Sequence, residues 1–171
     1  MYMPCGSVKI RKILSAELTD ALMERAAVSA RRRANCNIHP TLDDPVQRFF
    51  NAMQPGTYVR PHRHTTPQRW EMFLVLQGRL AVLQFDDEGR VEERQELTAG
   101  GPVFGAELEA GRWHTLVVLE PALVFELKEG PYNAMTDKDF ANWAPAEGDA
   151  GCEQVVNWYE TAGKGDPFPR F

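Results

Sequence analysis

Residues 56–78 read Gly-Thr-Tyr-Val-Arg-Pro-His-Arg-His-Thr-Thr-Pro-Gln-Arg-Trp-Glu-Met-Phe-Leu-Val-Leu-Gln-Gly, and this stretch decides the fold of the chain. It contains two of the four histidines, His62 and His64, which are two positions apart. Alternate residues of an extended strand share a face, so both imidazoles are predicted to point the same way. Glu71 follows them and opens an apolar run that ends at Gly78.

A third histidine, His114, lies in a second segment in which a turn precedes an apolar strand, residues 109–119. Three imidazoles and one carboxylate form a ligand set for one divalent first-row transition metal, and affinity alone does not choose among Fe, Mn, Ni and Zn. Four protein ligands leave two open positions on an octahedral ion, for water, O₂ or a bidentate substrate, whereas they close a tetrahedral zinc site. The number of ligands therefore favours an octahedral ion if the protein is a catalyst.

The chain around these ligands has the texture of a β protein. Short apolar or alternating runs are separated by Gly, Pro and Asp turns, and Gly89 supplies the turn of a predicted hairpin. No helical segment separates these runs, which favours an all-β sandwich or barrel over a parallel α/β sheet. The predicted strands are 46–53, 57–64, 70–77, 79–86, 90–97, 102–108, 113–119 and 122–128.

Helices are predicted on both sides of the β segment. Ser15 is positioned to cap a helix over residues 16–31, and a short helix is predicted over residues 151–161, with Val155, Trp158 and Tyr159 inward. A helical turn is predicted to place Phe140 and Trp143 on the barrel wall. Residues 1–12 are predicted to form a loose arm or an edge strand. The predicted organisation is an N-terminal arm and helix, a barrel with the metal site, and a C-terminal extension: residues 1–45, 46–132 and 133–171.

Composition excludes several classes of function. The 171 residues are 43% hydrophobic, which is enough for the core of one domain, and the formal net charge of −5 argues against nucleic acid as a partner. The basic run at residues 31–33 is interpreted as the solvated end of a helix. No apolar stretch approaches the ~20 residues of a membrane span. The three cysteines, Cys5, Cys36 and Cys152, form no paired motif, which is typical of a reducing cytoplasm.

The spacing of the ligand candidates resembles the two-part signature of the cupin superfamily. Five residues separate Gly56 from His62-x-His64, six separate Glu71 from Gly78, and two separate Gly111 from His114. The resemblance implies a jelly-roll barrel in which His62, His64, Glu71 and His114 bind the metal. The six residues between His64 and Glu71 exceed the usual gap, so a site of three histidines stays open as an alternative.

A closer resemblance covers about residues 13–147. The segments that carry it contain Asn-Ile-His, Asp-Asp-Pro-Val-Gln-Arg, Pro-Gly-Thr-Tyr-Val-Arg-Pro-His-Arg-His and Thr-Asp-Lys-Asp-Phe-Ala-Asn-Trp-Ala-Pro. They resemble the small cupin-fold metalloproteins of the WbuC family, which are associated with bacterial surface-polysaccharide biosynthesis. The resemblance implies a homodimer. We expect a metal-dependent enzyme that acts on a small polar molecule, such as a sugar derivative, as a dioxygenase if the metal is iron or as an isomerase or epimerase if it is Zn, Mn or Ni. The alternative is a non-catalytic, metal-dependent binding or sensor module.

Residues near the ligands are further candidates for the site. Tyr58 and Arg60 share strand parity with His62 and His64, so both are predicted to face the site and are candidates for catalysis. The alternatives are that Tyr58 only packs against its neighbours and that Arg60 points outward into solvent. Phe73 and Val75 share parity with Glu71 and are predicted to line the pocket. His39 is expected in a loop, unless the N-terminal segment folds over the barrel mouth and brings His39 into the pocket. Lys138 is expected on the surface.

Overall fold

The computed structural model describes residues 12–170, so that most of the predicted N-terminal arm lies outside the described residues. The described part contains two helices and eight strands. Their bounds are α1 Ala16–Val28, β1 Arg33–Asn37, β2 Val46–Met53, β3 His62–Arg63, β4 Glu71–Phe85, β5 Val91–Thr98, β6 Gly105–Leu108, β7 Trp113–Glu129, β8 Asp139–Phe140 and α2 Cys152–Thr161.

All strand pairs are antiparallel, and the two longest strands, β4 and β7, pair with each other along most of their length. On one side β2 pairs with β7, and β1 adds to β2 as an edge. On the other side β5 and β6 pair with β4. The short strand β3 lies between β7 and β8. An antiparallel β protein with a helix near each end confirms the predicted fold class.

Three apolar clusters hold these layers together. One lies inside the barrel and includes Phe73, Leu80 and Leu97. A second lies under α1, where Leu22 and Ala26 are the buried residues of the helix and Ser15 caps its first turn. The third lies under α2 and joins its Val155 and Tyr159 to Phe85 and Phe168, as the predicted inward face of this helix requires.

The long strands differ from the prediction, which divided each of them in two. Gly78 and Pro121 look like turn residues in the sequence, yet both lie inside a strand, at a place where the β4–β7 register shifts. Each strand bends there and continues, because a β-bulge absorbs the irregular residue without ending the ladder. The sequence also did not predict β1, whose polar residues lack an apolar alternation and which pairs only with β2.

Two segments next to the barrel also depart from their predictions. The predicted strand 57–64 is reduced to the two residues of β3. The predicted helical turn at Phe140 and Trp143 is wrong, because Phe140 belongs to β8 and is 51% exposed, whereas Trp143 packs against the cluster under α2. Strand pairing with β3 satisfies the backbone of this segment in place of helical hydrogen bonds. The division at residues 45 and 132 stays a prediction.

Neither helix of the described residues is long and apolar enough to cross a membrane.

Replacing Gly78 by alanine is expected to lower the free energy of unfolding more than replacing Gly100. Both glycines have a positive φ, +70° and +68°, so both variants share a cost of about 1–2 kcal/mol for a left-handed L-residue. Only at Gly78 does the new Cβ overlap the Pro121 carbonyl oxygen, whereas nothing lies within 4 Å at Gly100. This overlap is expected to add about 1–3 kcal/mol, measured by urea unfolding. Equal losses in the two variants would contradict the account.

Candidate metal centre

The structure brings the four predicted ligands together in one buried cluster. His62 belongs to β3, Glu71 begins β4, and His114 lies in β7, where it is the cross-strand partner of His62. One potential ligand atom from each of these residues and from His64 lies within 4.8 Å of the others. Pairing of β3 with β7 therefore joins two motifs that are about fifty positions apart in the sequence.

Backbone carbonyls orient all three imidazoles. Nδ1 of His62 lies 2.9 Å from the Arg60 carbonyl oxygen, and Nδ1 of His114 lies 2.9 Å from that of Arg112. Nδ1 of His64 donates to the carbonyl oxygen of Asp137. A carbonyl oxygen only accepts hydrogen bonds, so each Nδ1 carries the proton and each Nε2 presents a lone pair to the cluster. This tautomer leaves Nε2 of each histidine free to bind a metal.

Glu71 reaches the cluster despite the long gap that precedes it. Its Oε2 atom lies 3.1 Å from Nε2 of His114 and 3.4 Å from Nε2 of His64. Burial alone raises the pKa of Glu71, but the adjacent imidazoles of His114 and His64 outweigh burial and hold the pKa well below its usual range. Burial also lowers the pKa of His62 well below its usual value, which favours the neutral imidazole.

This donor set fits a divalent transition metal. The buried Nε2 atom of His64 has no hydrogen-bond partner, and an unpaired buried nitrogen is costly unless an ion or a proton satisfies it. Three neutral imidazoles and one ionised carboxylate are ligands that Fe, Mn, Ni and Zn accept. The buried His/Glu group therefore indicates a metal site, without selecting the metal.

A buried ion-pair network supports His64 from behind, and the sequence did not predict it. Asp137 orients His64 through its backbone carbonyl. Its carboxylate accepts a hydrogen bond from Lys128 at 2.6 Å and lies 3.5 Å from Arg69. All three side chains are buried. Asp137 is 73 positions from His64, so no local pattern connects the two residues.

Replacing Asp137 by asparagine is expected to lower both stability and metal affinity. The change leaves Lys128 and Arg69 buried without their counter-charge, which costs about 3 kcal/mol of stability. It also loosens the residue that orients His64, and such a loss typically lowers metal affinity about 10–100-fold. The control is Asp139→Asn, because Asp139 is half exposed and its ion pair with Arg63 spans 3.7 Å. The control is expected to lose less than about 1 kcal/mol. Urea unfolding and metal titration measure both effects, and identical behaviour of the two variants would refute the role of Asp137.

The cluster opens into a polar cavity. A space of about 130 Å³ touches His62, Glu71, His114 and Phe73. A larger cavity of about 360 Å³ adjoins it and shares several residues with it. The shared residues are Arg31, Arg33, Asn51, Glu71, Glu126 and Lys138. The ligands therefore face a space that a small molecule can enter, unlike those of a closed structural zinc site.

Two titratable side chains of this cavity stand out. Glu126 accepts a hydrogen bond from Asn51 at 2.7 Å, and burial, reinforced by the charge of Glu71, raises its pKa to about 7. Lys138 is exposed within the cavity, and the surrounding protein lowers its pKa, although the carboxylates of Glu71 and Glu126 oppose this effect. Strand alternation could have predicted that Glu126 points inward, because Glu126 lies two positions after buried Val124 in β7 and shares its face.

The raised pKa of Glu126 predicts a pH dependence of stability in metal-free protein. Because the folded-state pKa lies above the unfolded value, the folded chain binds the extra proton, and stability falls as the pH rises from about 4.5 through about 7. The loss is on the order of 3 kcal/mol. Glu126→Gln is expected to remove this pH dependence, whereas Glu107→Gln, at an exposed strand position, is expected to retain it. Urea unfolding between pH 5 and 8 measures the slope, and an unchanged slope in the Glu126 variant would contradict the assignment.

The structure separates Tyr58 from the cluster, so the prediction that it faces the metal site is wrong. Its ring stacks on Tyr159 in the cluster under α2, and its hydroxyl donates to the Pro145 carbonyl oxygen at 2.7 Å. Val59 lines the cavity in its place. Strand parity fails here because residues 54–61 do not form a regular strand.

The other candidates lie closer to the site. Arg60 donates to the Ala141 carbonyl oxygen at 2.8 Å and lines a neighbouring cavity of about 270 Å³ that also touches His62, so its role in catalysis stays a prediction. His39 is buried and lines the large cavity, where its Nδ1 accepts from the backbone N–H of Arg48 at 3.0 Å. Of the two apolar candidates on β4, Phe73 lines the cavity, whereas Val75 lies in the barrel core.

Comparison with known proteins agrees with this architecture. Residues 14–97 match the family model described as a domain of unknown function, DUF6016. No curated protein matches the chain.

Solved structures extend the comparison to the fold. An oxalate oxidase in complex with glycolate is 17% identical, with 67% of this chain and 57% of that chain covered and a TM-score of 0.50. The conserved SPY1581 protein of unknown function from Streptococcus pyogenes is 13% identical, with 74% and 93% covered and a TM-score of 0.50. A cupin superfamily protein from Desulfitobacterium hafniense is 15% identical, with 61% and 85% covered and a TM-score of 0.47.

At these identities the likeness concerns the fold alone, and the match spans little more than half of the oxalate oxidase. The oxalate oxidase and the SPY1581 protein, each at a TM-score of 0.50, show that this chain shares their fold. The chain has the all-β cupin architecture, with one helix before the barrel and a short helix after it.

Proposed function

We propose that this protein is a metal-dependent enzyme that acts on a small polar molecule. His62, His64, Glu71 and His114 hold one divalent transition metal in this proposal. The observation that carries it is the orientation of three Nε2 atoms and one carboxylate toward a common point that borders an open cavity. A purely structural metal site has no need of such an opening.

The residues around the cavity divide the remaining tasks. When bound, the metal supplies Lewis acidity, or redox chemistry toward O₂ if it is iron. Phe73 and Leu116 form an apolar wall beside the ligands that limits access of water. The Glu126 carboxyl, which Asn51 holds at 2.7 Å in the space that borders the ligands, is placed to accept or return a proton at the substrate. This feature favours isomerisation or epimerisation over the dioxygenase alternative.

The biological setting rests on the resemblance to the WbuC family. From it we propose a sugar or a sugar derivative as the substrate and surface-polysaccharide biosynthesis as the process. A cytoplasmic homodimer belongs to the same proposal. The polar cavity supports a hydroxylated substrate, because amide side chains of Asn35, Asn37 and Asn51 line it.

Metal content tests the proposal without knowledge of the substrate. Protein purified without an affinity metal is expected to contain about one divalent transition metal per chain by elemental analysis. His114→Ala removes a ligand and is expected to lower metal affinity at least about tenfold. The matched control is His39→Gln, which alters another buried histidine of the cavity but none of the four proposed ligands and is expected to retain the metal.

Cobalt substitution distinguishes an open site from a closed one. The weak visible absorption of a five- or six-coordinate Co(II) ion is expected, since the cavity leaves positions for solvent or substrate. Intense tetrahedral absorption would indicate a structural site and contradict the enzyme proposal. Equal loss of metal in the His114 and His39 variants would contradict the ligand assignment.

A further inference from the structure

The cavity beside the proposed metal centre contains one cation that the fold leaves without a partner. Lys138 lines all three adjoining spaces, of about 360, 270 and 130 Å³. Within residues 12–170 no carboxylate lies within ion-pair distance of its ammonium group. A cation surrounded by protein walls gains stability when an anion binds beside it.

Each of the other side-chain cations that line these spaces already has a partner within the described residues, and Arg60 donates to the Ala141 carbonyl oxygen at 2.8 Å. Lys128 pairs with Asp137 at 2.6 Å. Arg31 and Arg33 both pair with Glu147, at 2.7 and 2.8 Å, and each places at least one guanidinium nitrogen on that carboxylate. Lys138 is therefore the cation of the described cavity that is free to bind a ligand.

The backbone fixes Lys138 next to the proposed ligands. The preceding residue, Asp137, accepts the hydrogen bond from His64, and the following residue, Asp139, begins the strand that pairs with β3 and His62. A ligand held by Lys138 therefore lies in the same space as His62, Glu71 and His114.

Among the described residues, neither carboxylate that faces the same space forms an ion pair with this cation. Glu71 is committed to the metal in the proposed function, and its charge is then compensated by the ion. Glu126 is held by Asn51 at 2.7 Å. At the far side of the cavity, the amides of Asn35 and Asn37 provide uncharged donors and acceptors that suit hydroxyl groups.

We infer that the substrate of this site is a small polyhydroxylated carboxylic acid whose carboxylate is bound by Lys138 while its hydroxyl groups contact the amide side chains. This inference rests on the proposed function and deepens it by naming the substrate class. One ammonium group without a hydrogen-bond partner matches the single negative charge of a carboxylate.

Paired ligands that differ only in charge test the inference. Gluconate is compared with glucitol, and glucuronate with glucose, by calorimetry on metal-loaded and on metal-free protein. At least one acid is expected to bind about tenfold tighter than its neutral counterpart, as one charge-assisted hydrogen bond allows. Lys138→Met is expected to abolish this preference with unchanged metal content, whereas Lys164→Met, at an exposed position, preserves it.

The outcomes separate the inference from the proposed function. Metal-loaded protein that binds neither acid more tightly than its neutral counterpart would overturn the inference while leaving the metal centre intact. The same holds if glucose 6-phosphate binds more tightly than both acids, or if the Lys138 variant keeps the preference. Absence of bound metal, measured separately by elemental analysis, would overturn the proposed function.

Discussion

Three hydrogen bonds from imidazole Nδ1 atoms to backbone carbonyls are the constraint on which the centre depends. They fix the tautomer of His62, His64 and His114 and direct each Nε2 toward Glu71. Two of the carbonyls belong to the residue two positions before the histidine, so the local chain path supplies them. The third comes from Asp137, and the orientation of His64 therefore requires the chain beyond β7 to be in place.

That requirement explains why the segment after the barrel is part of the site. Residues 137–140 supply the carbonyl for His64, an ammonium for the cavity and the strand that pairs with β3. The segment is itself held by the buried ion pair between Asp137 and Lys128. Buried ion pairs often contribute little net stability, and their retention here is consistent with a role in placing a functional group.

The sequence predicted which four side chains come together, because the spacing of His62, His64, Glu71 and His114 resembles the cupin signature. It also predicted the two helices and the all-β class, since both follow from periodicity and capping. It failed where tertiary contacts decide. Tyr58 departs from strand parity because the preceding segment is irregular, and the polar strand β1 is defined only by its partner β2.

Long-range contacts account for the remaining omissions. Asp137 and Glu126 gain their roles from residues more than seventy positions away, His64 and Asn51, which no single-sequence pattern connects. The backbone preferences of Gly78 and Pro121 are those of turn residues, which favours a break in the strand at each position. The β4–β7 ladder overrides these preferences through register shifts.

The most direct test of the account is anomalous X-ray diffraction at the absorption edge of the metal, on crystals of the metal-loaded protein. The account predicts one anomalous peak within bonding distance of the Nε2 atoms of His62, His64 and His114 and of a Glu71 oxygen. It also predicts that each Nδ1 keeps its backbone carbonyl partner. A metal bound through Nδ1 atoms, or a peak outside this cluster, would contradict the account.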